Sequence, residues 1–164
     1  MNRELILFRH AKSSWSDAGL RDHDRPLNER GRRDAERMGR LAAEVDLVPD
    51  IILSSDSTRT RETVAIWIAA ASWNGPVRWE QKLYHASPGV LLETAKGVGP
   101  DVGRVMLVAH NPGIEELSGA IFGRPVEVPT GTMISAHLKA ASWAESSIDD
   151  FMPDEIRRPR ELPE

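Results

Sequence analysis

The chain has 164 residues, of which 40% are hydrophobic and 28% are charged. This length and composition predict one soluble domain that is large enough to bury a substantial core. The net charge of -4 gives no general reason to expect nucleic-acid binding, so any anion site must be local. There is no cysteine, which excludes disulfides, thiolate metal sites and a cysteinyl-phosphate mechanism.

The first residues, 1–4, lead directly into an apolar segment, without the long apolar core and cleavage site of a secretory signal. No apolar run approaches the length that is needed to span a bilayer. We therefore expect a cytoplasmic protein that does not insert into or bind a membrane.

Strands are predicted wherever short apolar or alternating runs occur between turn residues. In chain order these runs lie at 4–8, 51–53, 77–79, 104–109 and 132–138. The last of them alternates between apolar and polar residues, which is typical of a half-exposed strand.

Helices are predicted between these strands. Asn28 is a good N-cap for a segment with helical periodicity, and Asp56 or Ser57 is expected to cap the next one. A third helix is predicted at 88–96, and Asn111 before Pro112 predicts the start of a fourth.

The alternation of strands and helices predicts an α/β fold, a three-layer α/β/α sandwich with a mostly parallel central sheet. No repeat or linker divides the chain, so we expect a single domain over residues 1–148. Residues 149–164 are rich in charge and proline, and we expect a C-terminal tail that lies on the surface or is disordered.

Three of the predicted strands lead into arginine or histidine, which are residue types that commonly bind phosphate. The first strand runs into Arg9 and His10, the second is followed by Arg59, and the fourth runs into His110. In an open parallel sheet the carboxyl ends of the strands share one edge, and ligands bind in the crevice there. We therefore expect two histidines and two arginines to converge on one pocket for a phosphoryl group.

The chemistry of these side chains suits phosphoryl transfer. Arg9 and Arg59 would clamp the phosphoryl oxygens, because a guanidinium makes two hydrogen bonds to one oxyanion and keeps its charge. His10 would be the nucleophile, since a phospho-imidazole is labile enough for water to remove it. His110, as an imidazolium, would stabilise charge on the transferring group.

Four stretches of the chain, in this order, resemble a known family. They are RHAKSSW at 9–15, RPLNERG at 25–31, LSS at 53–55 with Arg59 and Thr63 beyond it, and VAHNPG at 108–113. They are similar to the histidine phosphatase superfamily, and most of all to its SixA-like phosphohistidine phosphatases. The resemblance covers roughly residues 4–138.

This resemblance implies a phosphoglycerate mutase-like fold and a phosphohistidine intermediate at His10. Arg9, Arg59 and His110 would complete the pocket, and neither a metal nor another cofactor is expected. Ser16 stands where phosphoglycerate mutases typically have an asparagine, and it is a candidate phosphate ligand.

Two further candidates for substrate binding are Arg25, in a loop expected to rim the pocket, and Asn111, directly after the second histidine. Relatives with acid phosphatase activity typically have an aspartate at the position of Asn111, and an amide cannot replace it as a proton donor. Glu80 and Glu93 are two candidate carboxylates that could reach the site, although each is expected at the surface.

Absence of a clear proton donor favours a substrate whose leaving group needs little help, such as phosphohistidine. A short chain without an inserted cap also suits a phosphohistidine-bearing protein. One alternative is a phosphomonoesterase or mutase acting on a small sugar or nucleotide phosphate. Another is a non-catalytic module that binds phosphoproteins.

Two other groups of residues could suggest different chemistry. The run Asp22-His23-Asp24 resembles an aspartyl-phosphate motif or a metal-binding pair, but no buried strand precedes it and no further ligands cluster near it. His85 and His137 are expected to be structural. The oligomeric state is left open by the sequence.

Overall fold

We describe the protein from a computed structural model, which covers residues 1–163. These residues form six strands and four α-helices. In chain order they are β1 (Arg3–Arg9), α1 (Glu29–Glu44), β2 (Ile51–Ser54), α2 (Thr58–Ala71), β3 (Val77–Trp79), α3 (Pro88–Lys96), β4 (Arg104–Ala109), α4 (Gly113–Phe122), β5 (Met133–Leu138) and β6 (Phe151–Arg157).

The strands form one sheet in the order β3-β2-β4-β1-β5-β6. Strands β3, β2, β4 and β1 are parallel, whereas β5 pairs antiparallel with both β1 and β6. The register sets Arg9 beside Ala109, so β1 and β4 end at the same level. The predicted mostly parallel sheet is therefore confirmed, and the two histidines follow neighbouring strands.

Side chains of β1 alternate between two hydrophobic layers, as a strand buried on both faces requires. Leu5 and Leu7 pack in one layer with the apolar residues of α3 and α4. Ile6 and Phe8 pack in the other layer with those of α1 and α2, including the fully buried Trp67. This arrangement is the expected three-layer α/β/α sandwich.

Local capping residues set where two of the helices begin. Asn28 accepts a hydrogen bond from the Gly31 amide at 2.8 Å, and Ser57, one of the two expected caps, accepts one from Thr60. The prediction of Asn111 as a cap is wrong. Helix α4 begins at Gly113 after Pro112 with no side-chain cap, and Asn111 Nδ2 instead donates to the Val128 carbonyl.

The C-terminal segment differs from the predicted tail. Strand β6 pairs with β5 and buries Phe151, so disorder is the wrong prediction for these residues. Most other side chains of β6 are exposed, which agrees with a position at the surface. Charge and proline are typical of edge strands as well as of disordered tails, and the composition alone did not separate the two. Residue 164, the last of the predicted tail, lies outside the described residues.

No helix within residues 1–163 is both long enough and apolar enough to cross a membrane.

Candidate active site

The segment after β1 is fixed by hydrogen bonds to its neighbours. The His10 amide donates to the Ala109 carbonyl at 3.2 Å, which ties the first histidine to the end of β4. The Ala11 amide donates to the Thr63 hydroxyl at 3.1 Å, and that hydroxyl donates to the Arg59 carbonyl at 2.7 Å. The end of β1 is thereby held against the first turns of α2.

His10 is buried and has a defined tautomer. Its Nδ1 lies 2.7 Å from the Ala11 carbonyl oxygen, which can only accept, so Nδ1 carries the hydrogen. The lone pair on Nε2 faces Arg59 Nε at 3.4 Å. Burial above all, followed by the charges of Arg59, Arg9 and Arg25, lowers the pKa of His10 to about 3. At neutral pH Nε2 is therefore an unprotonated nucleophile.

His110 lies opposite, with its ring centroid 5.1 Å from that of His10. Its Nδ1 faces the donor Arg59 Nη2 at 3.4 Å, so Nε2 carries the hydrogen and donates to Ser55 Oγ at 2.8 Å. Burial first, and then the neighbouring His10 and Arg59, lower the pKa of His110 to about 2. The chain by itself thus keeps this ring neutral, and the predicted imidazolium would require the negative charge of a bound phosphoryl group.

Arg59 lies between the two histidines and is held by Asp22. Nη1 donates to the Asp22 carbonyl at 2.6 Å, and Nη2 donates to the Asp22 carboxylate at 3.0 Å. The same carboxylate accepts from Tyr84 at 2.5 Å and from Arg25 at 2.8 Å. These contacts, with the Tyr84 hydrogen bond the largest, lower the pKa of Asp22, so it stays ionised. A buried guanidinium is in this way fixed by a partly exposed carboxylate.

Arg9 and Asn111 are both attached to the Val128 carbonyl. Arg9 Nη1 and Asn111 Nδ2 each donate to this oxygen at 2.9 Å. Asn111 Nδ2 also donates to Glu115 at 3.0 Å, and its Oδ1 is buried without a hydrogen-bond partner. The segment before β5 therefore positions two side chains at the edge of the pocket.

The converging side chains enclose a cavity of about 270 Å³. Its position beside the first turn of α2 adds the partial positive charge of a helix N-terminus. Three arginines and two buried histidines in one cavity form a site for an anion with a nucleophile beneath it. The cavity is lined by Arg9, His10, Lys12, Ser13, Trp15, Arg25, Arg59, His85, His110, Asn111 and Thr130.

Six of the predicted site residues therefore share one cavity: Arg9, His10, Arg25, Arg59, His110 and Asn111. Ser16 is not among the residues that line it. This serine is exposed, and its hydroxyl pairs with that of Ser14 at 2.8 Å.

Glu80 and Glu93 also lie away from the cavity lining. Glu80 pairs with Arg78 at 3.0 Å, and the exposed Glu93 pairs with Lys96 at 3.2 Å. Each candidate carboxylic acid is thus engaged with a basic neighbour on its own segment.

Several residues of the site had weak or misleading signals in the sequence. Asp22 belongs to the Asp-His-Asp run, which by its residue types resembles a metal or aspartyl-phosphate motif, yet its carboxylate binds Arg59 and Arg25. His85 was expected to be structural but lines the cavity. Both residues lie in polar loops between helices and strands, and only the folded structure shows whether the side chains of such a loop point toward the cavity.

A second polar group lies at the opposite end of β1. Glu4, His137 and Asp154 each offer one ligand atom within 4.8 Å of the other two, which is a geometry that could hold a cation. Glu4 already accepts a hydrogen bond from Arg104 Nε at 2.5 Å, so an arginine balances its charge. This group is separate from the phosphate cavity.

Comparison with known proteins places the chain among phosphate-handling enzymes. A family model described as histidine phosphatase superfamily (branch 1) matches residues 5–96. An uncharacterised chloroplastic protein of Arabidopsis thaliana is 34% identical over 155 residues, covering 89% of this chain and 71% of the relative. A 2,3-bisphosphoglycerate-dependent phosphoglycerate mutase of Mycobacterium leprae is 35% identical over 97 residues, which are 57% of this chain and 39% of the mutase.

Among solved structures, the candidate phosphohistidine phosphatase SixA of Agrobacterium tumefaciens superimposes with a TM-score of 0.83. It is 30% identical in sequence, and the match covers 97% of this chain and 99% of the other. The likeness therefore extends over the whole sandwich, including β5 and β6, which lie beyond the residues that the family model matches.

Proposed function

Because the chain belongs to the histidine phosphatase superfamily and has a histidine-based phosphatase site, we propose that it removes the phosphoryl group from phosphohistidine in proteins. The reaction would pass through a covalent intermediate on His10. The observation that carries this proposal is the composition of the cavity: arginines and histidines line it, and within residues 1–163 no carboxylate does.

His10 has the properties of the nucleophile. Its Nδ1 hydrogen is fixed by Ala11, and its Nε2 lone pair points toward Arg59, which would hold phosphoryl oxygens. Attack by Nε2 on phosphorus forms the phosphoenzyme and breaks the bond to the leaving group. Water then attacks the phosphorus, and the Nε2–P bond breaks to release inorganic phosphate.

Positive charge in the cavity would stabilise the transferring group. Arg9, Arg25 and Arg59 supply permanent cations around the His10 ring. A phosphoryl dianion between the rings would also favour protonation of His110 at Nδ1, which then donates to a phosphoryl oxygen. The neutral His110 of the chain alone becomes a donor only when substrate supplies the charge.

The substrate class follows from the leaving group. Expulsion of an alkoxide from a phosphate ester needs a proton from a general acid, and a carboxylic acid is the usual donor. Glu80 and Glu93 do not line the cavity, and Asn111 stands after the second histidine. An imidazole leaving group needs less assistance, which favours phosphohistidine over an alkyl phosphate.

The mouth of the cavity suits a macromolecular substrate. Trp15 lines it and remains 72% exposed, and the Arg25 guanidinium stacks on its ring at 3.3 Å from the centroid. An exposed tryptophan with an arginine on one face is the kind of side-chain pair that protein partners contact. We infer that the partner is a phosphohistidine-bearing protein of the cytoplasm.

A phosphomonoesterase or mutase acting on a small phosphate is the alternative. The 35% identity to a phosphoglycerate mutase over 97 residues favours it. This alternative retains His10 as the nucleophile and changes only the leaving group. The two functions are distinguished by substrate preference and not by the intermediate.

The proposal is tested by trapping the intermediate and comparing substrates. A protein phosphorylated with ³²P on histidine is mixed with enzyme in chelator, quenched in alkali, and examined for label that is stable to alkali and labile to acid. We expect label on the wild type, none on His10→Asn, and faster turnover of phosphohistidine than of a panel of sugar and nucleotide phosphates. His137→Asn, which alters a half-buried histidine outside the cavity, is the matched control.

Each contrary result is specific. Label on His10→Asn would refute the nucleophile. Preference for a monoester with normal labelling would refute the phosphohistidine substrate and support the alternative. Binding of the phosphoprotein without labelling or turnover would indicate the non-catalytic module.

A further inference from the structure

A third histidine, His85, lines the cavity from a segment that contributes neither the proposed nucleophile nor the arginines. His85 follows Tyr84 in the loop before α3, and its side chain lines the cavity while remaining 58% exposed. Its ring centroid lies 5.9 Å from that of His110. The three histidines therefore run from the buried floor of the cavity, at His10, to its mouth, at His85.

The backbone of this residue is held in an unusual conformation. His85 has a φ of 55°, in the left-handed region that non-glycine residues seldom occupy. Its neighbour Ala86 packs so closely on α4 that a Cβ added to Gly113 would lie 2.0 Å from the Ala86 carbonyl oxygen. On the other side, Tyr84 is fixed by its hydrogen bond to Asp22. Such over-determined strain concentrates at functional sites.

The ring itself is also oriented. The Tyr84 ring lies 4.0 Å away, centroid to centroid, and the Asp22 carboxylate lies 3.6 Å from His85 Nε2. At this distance the carboxylate and the imidazole form an ion pair whenever the imidazole is protonated. The groups that face His85 are thus Asp22, Tyr84 and the neutral His110, together with Arg59 behind the carboxylate.

In-line attack decides where the leaving group lies. The nucleophile is on the floor, with His10 only 6% exposed, so the bond that breaks points away from it toward the mouth. His85 is at that mouth and can hold, give and recover a proton. Resting on the proposed function, we propose that His85 is the proton donor to the leaving group and then the base that activates water.

The proton and the electron pairs balance over the two steps. When His10 Nε2 bonds to phosphorus, the electron pair of the breaking P–N bond stays on the leaving imidazole, and protonated His85 gives its proton to a nitrogen of that ring. When water attacks, neutral His85 takes a water proton, and the pair of the Nε2–P bond returns to His10. Inorganic phosphate leaves, and both histidines regain their initial states.

A histidine donor is well matched to a histidine substrate. The donor and the leaving group are then both imidazoles, and imidazole is the side chain that most often acts as a general acid and base in enzymes. A carboxylic acid in this position would serve an alkoxide better. A histidine at position 85 therefore favours a substrate whose leaving group is an imidazole.

The test compares leaving groups with and without this imidazole. The variants are His85→Asn, because asparagine tolerates the left-handed region, and His85→Gly, because glycine adopts it freely. Burst rates of phosphoenzyme formation are measured with a ³²P-phosphohistidine protein, para-nitrophenyl phosphate and phenyl phosphate. Para-nitrophenolate leaves without a proton, whereas phenolate leaves slowly without one.

We expect both variants to form phosphoenzyme from para-nitrophenyl phosphate within about threefold of the wild-type rate. With phenyl phosphate and the phosphohistidine protein, the burst should slow by about 100-fold, the lower end of general acid catalysis. The trapped phosphoenzyme should also decay more slowly whatever substrate formed it. Added imidazole should restore the burst of His85→Gly, which a structural role of the side chain would not allow.

Equal loss on all three substrates, or no loss on any, would overturn the role of His85 while leaving the phosphatase proposal intact. Failure of rescue in a His85→Gly variant with an unchanged urea midpoint would overturn it as well. A wild type that is labelled by aryl phosphates but not by the phosphohistidine protein would instead refute the proposed substrate, so the two failures are distinguishable.

Discussion

Asp22 and Arg59 form a two-point contact in which the guanidinium binds both the main-chain carbonyl and the carboxylate of the same residue, at 2.6 and 3.0 Å. Arg59 thus approaches His10 and His110 in a single orientation. A negative charge so near an anion site would be unfavourable for substrate binding by itself. Its presence indicates that the position of Arg59 matters more than the repulsion it brings.

Replacement of Asp22 by asparagine is therefore expected to affect turnover more than binding. Asp22→Asn keeps the carbonyl contact but loses the ion pair, and we expect kcat to fall about tenfold while KM stays level or falls, because repulsion of the phosphoryl group is removed. Steady-state kinetics measure both constants. Asp24→Asn, which removes an equal charge from a surface pair with Arg21, should change neither by more than about twofold. A rise in KM at constant kcat would contradict this account.

Arg59 itself should be essential for transition-state stabilisation. Arg59→Ala removes a buried donor between the two histidines, and we expect kcat to fall by about 10²- to 10³-fold. Arg59→Lys should retain more activity than Arg59→Ala but less than the wild type, because an ammonium lacks the planar fork of a guanidinium. The matched control is Arg61→Ala on the same helix, whose guanidinium stacks on Trp79 outside the cavity. Wild-type activity of the lysine variant would show that only charge is required, and the planar fork would then not matter.

The buried histidines should make stability depend on pH. In the unfolded chain each ring titrates near pH 6.5, whereas folding lowers the pKa of His10 to about 3 and that of His110 to about 2. Below pH 6.5 the unfolded state therefore binds more protons, and the free energy of unfolding falls as the pH falls. Each ring contributes about 1.4 kcal/mol per pH unit between pH 6 and pH 4.

Urea unfolding at several pH values measures this slope. His10→Asn should reduce the dependence of the unfolding free energy on pH by the contribution of one imidazole, about 1.4 kcal/mol per pH unit between pH 6 and pH 4. A slope that is identical in the wild type and in this variant would mean that His10 is protonated equally easily in both states, which would contradict its role as a neutral nucleophile.

Replacement of Gly31 by alanine, a change that usually stabilises helices, is expected to destabilise this protein. In α1 alanine would normally be favoured over glycine by about 1 kcal/mol. Here an added Cβ would lie 2.1 Å from the Lys12 carbonyl oxygen, in the segment that follows His10. We expect Gly31→Ala to lower the free energy of unfolding by about 1–3 kcal/mol, as overpacking does, and to reduce kcat by moving this segment.

Gly99→Ala is the control for this effect, since nothing lies within 4 Å of a Cβ added there. Its midpoint in urea should match that of the wild type. If Gly31→Ala were as stable as Gly99→Ala, the close approach of α1 to the segment after β1 would not be a constraint on the site.

The sequence predicted the fold well because its signals are local. Apolar runs of strand length and capping residues such as Asn28 and Ser57 depend on neighbours within a few positions, and strands are present at the runs predicted at 4–8, 51–53, 77–79, 104–109 and 132–138. A further short strand considered near 141–144 is not formed. The errors arose where a local signal has two outcomes. Asn111 is a residue type that commonly caps helices, but here its Nδ2 donates to the Val128 carbonyl. The charged C-terminal segment pairs as an edge strand.

For the site, the sequence by itself determined the chemistry available. Arg9 and His10 at the end of one strand, and His110 at the end of another, were expected to converge, because the carboxyl ends of parallel strands share one edge of a sheet. With Arg59 they predicted an anion pocket and a nucleophile, and their catalytic roles stay predictions. The absence of cysteine excluded a cysteinyl-phosphate mechanism.

Only the tertiary structure decided which loop residues complete that pocket. Asp22 and His85 lie 63 residues apart in the chain, counted from 22 to 85, and meet at 3.6 Å above His110, whereas Ser16 turns to solvent. Loops without periodicity have no pattern that fixes the direction of their side chains. Their positions follow from long-range contacts, such as the packing of Ala86 on Gly113, which exist only once the sheet and its helices have assembled.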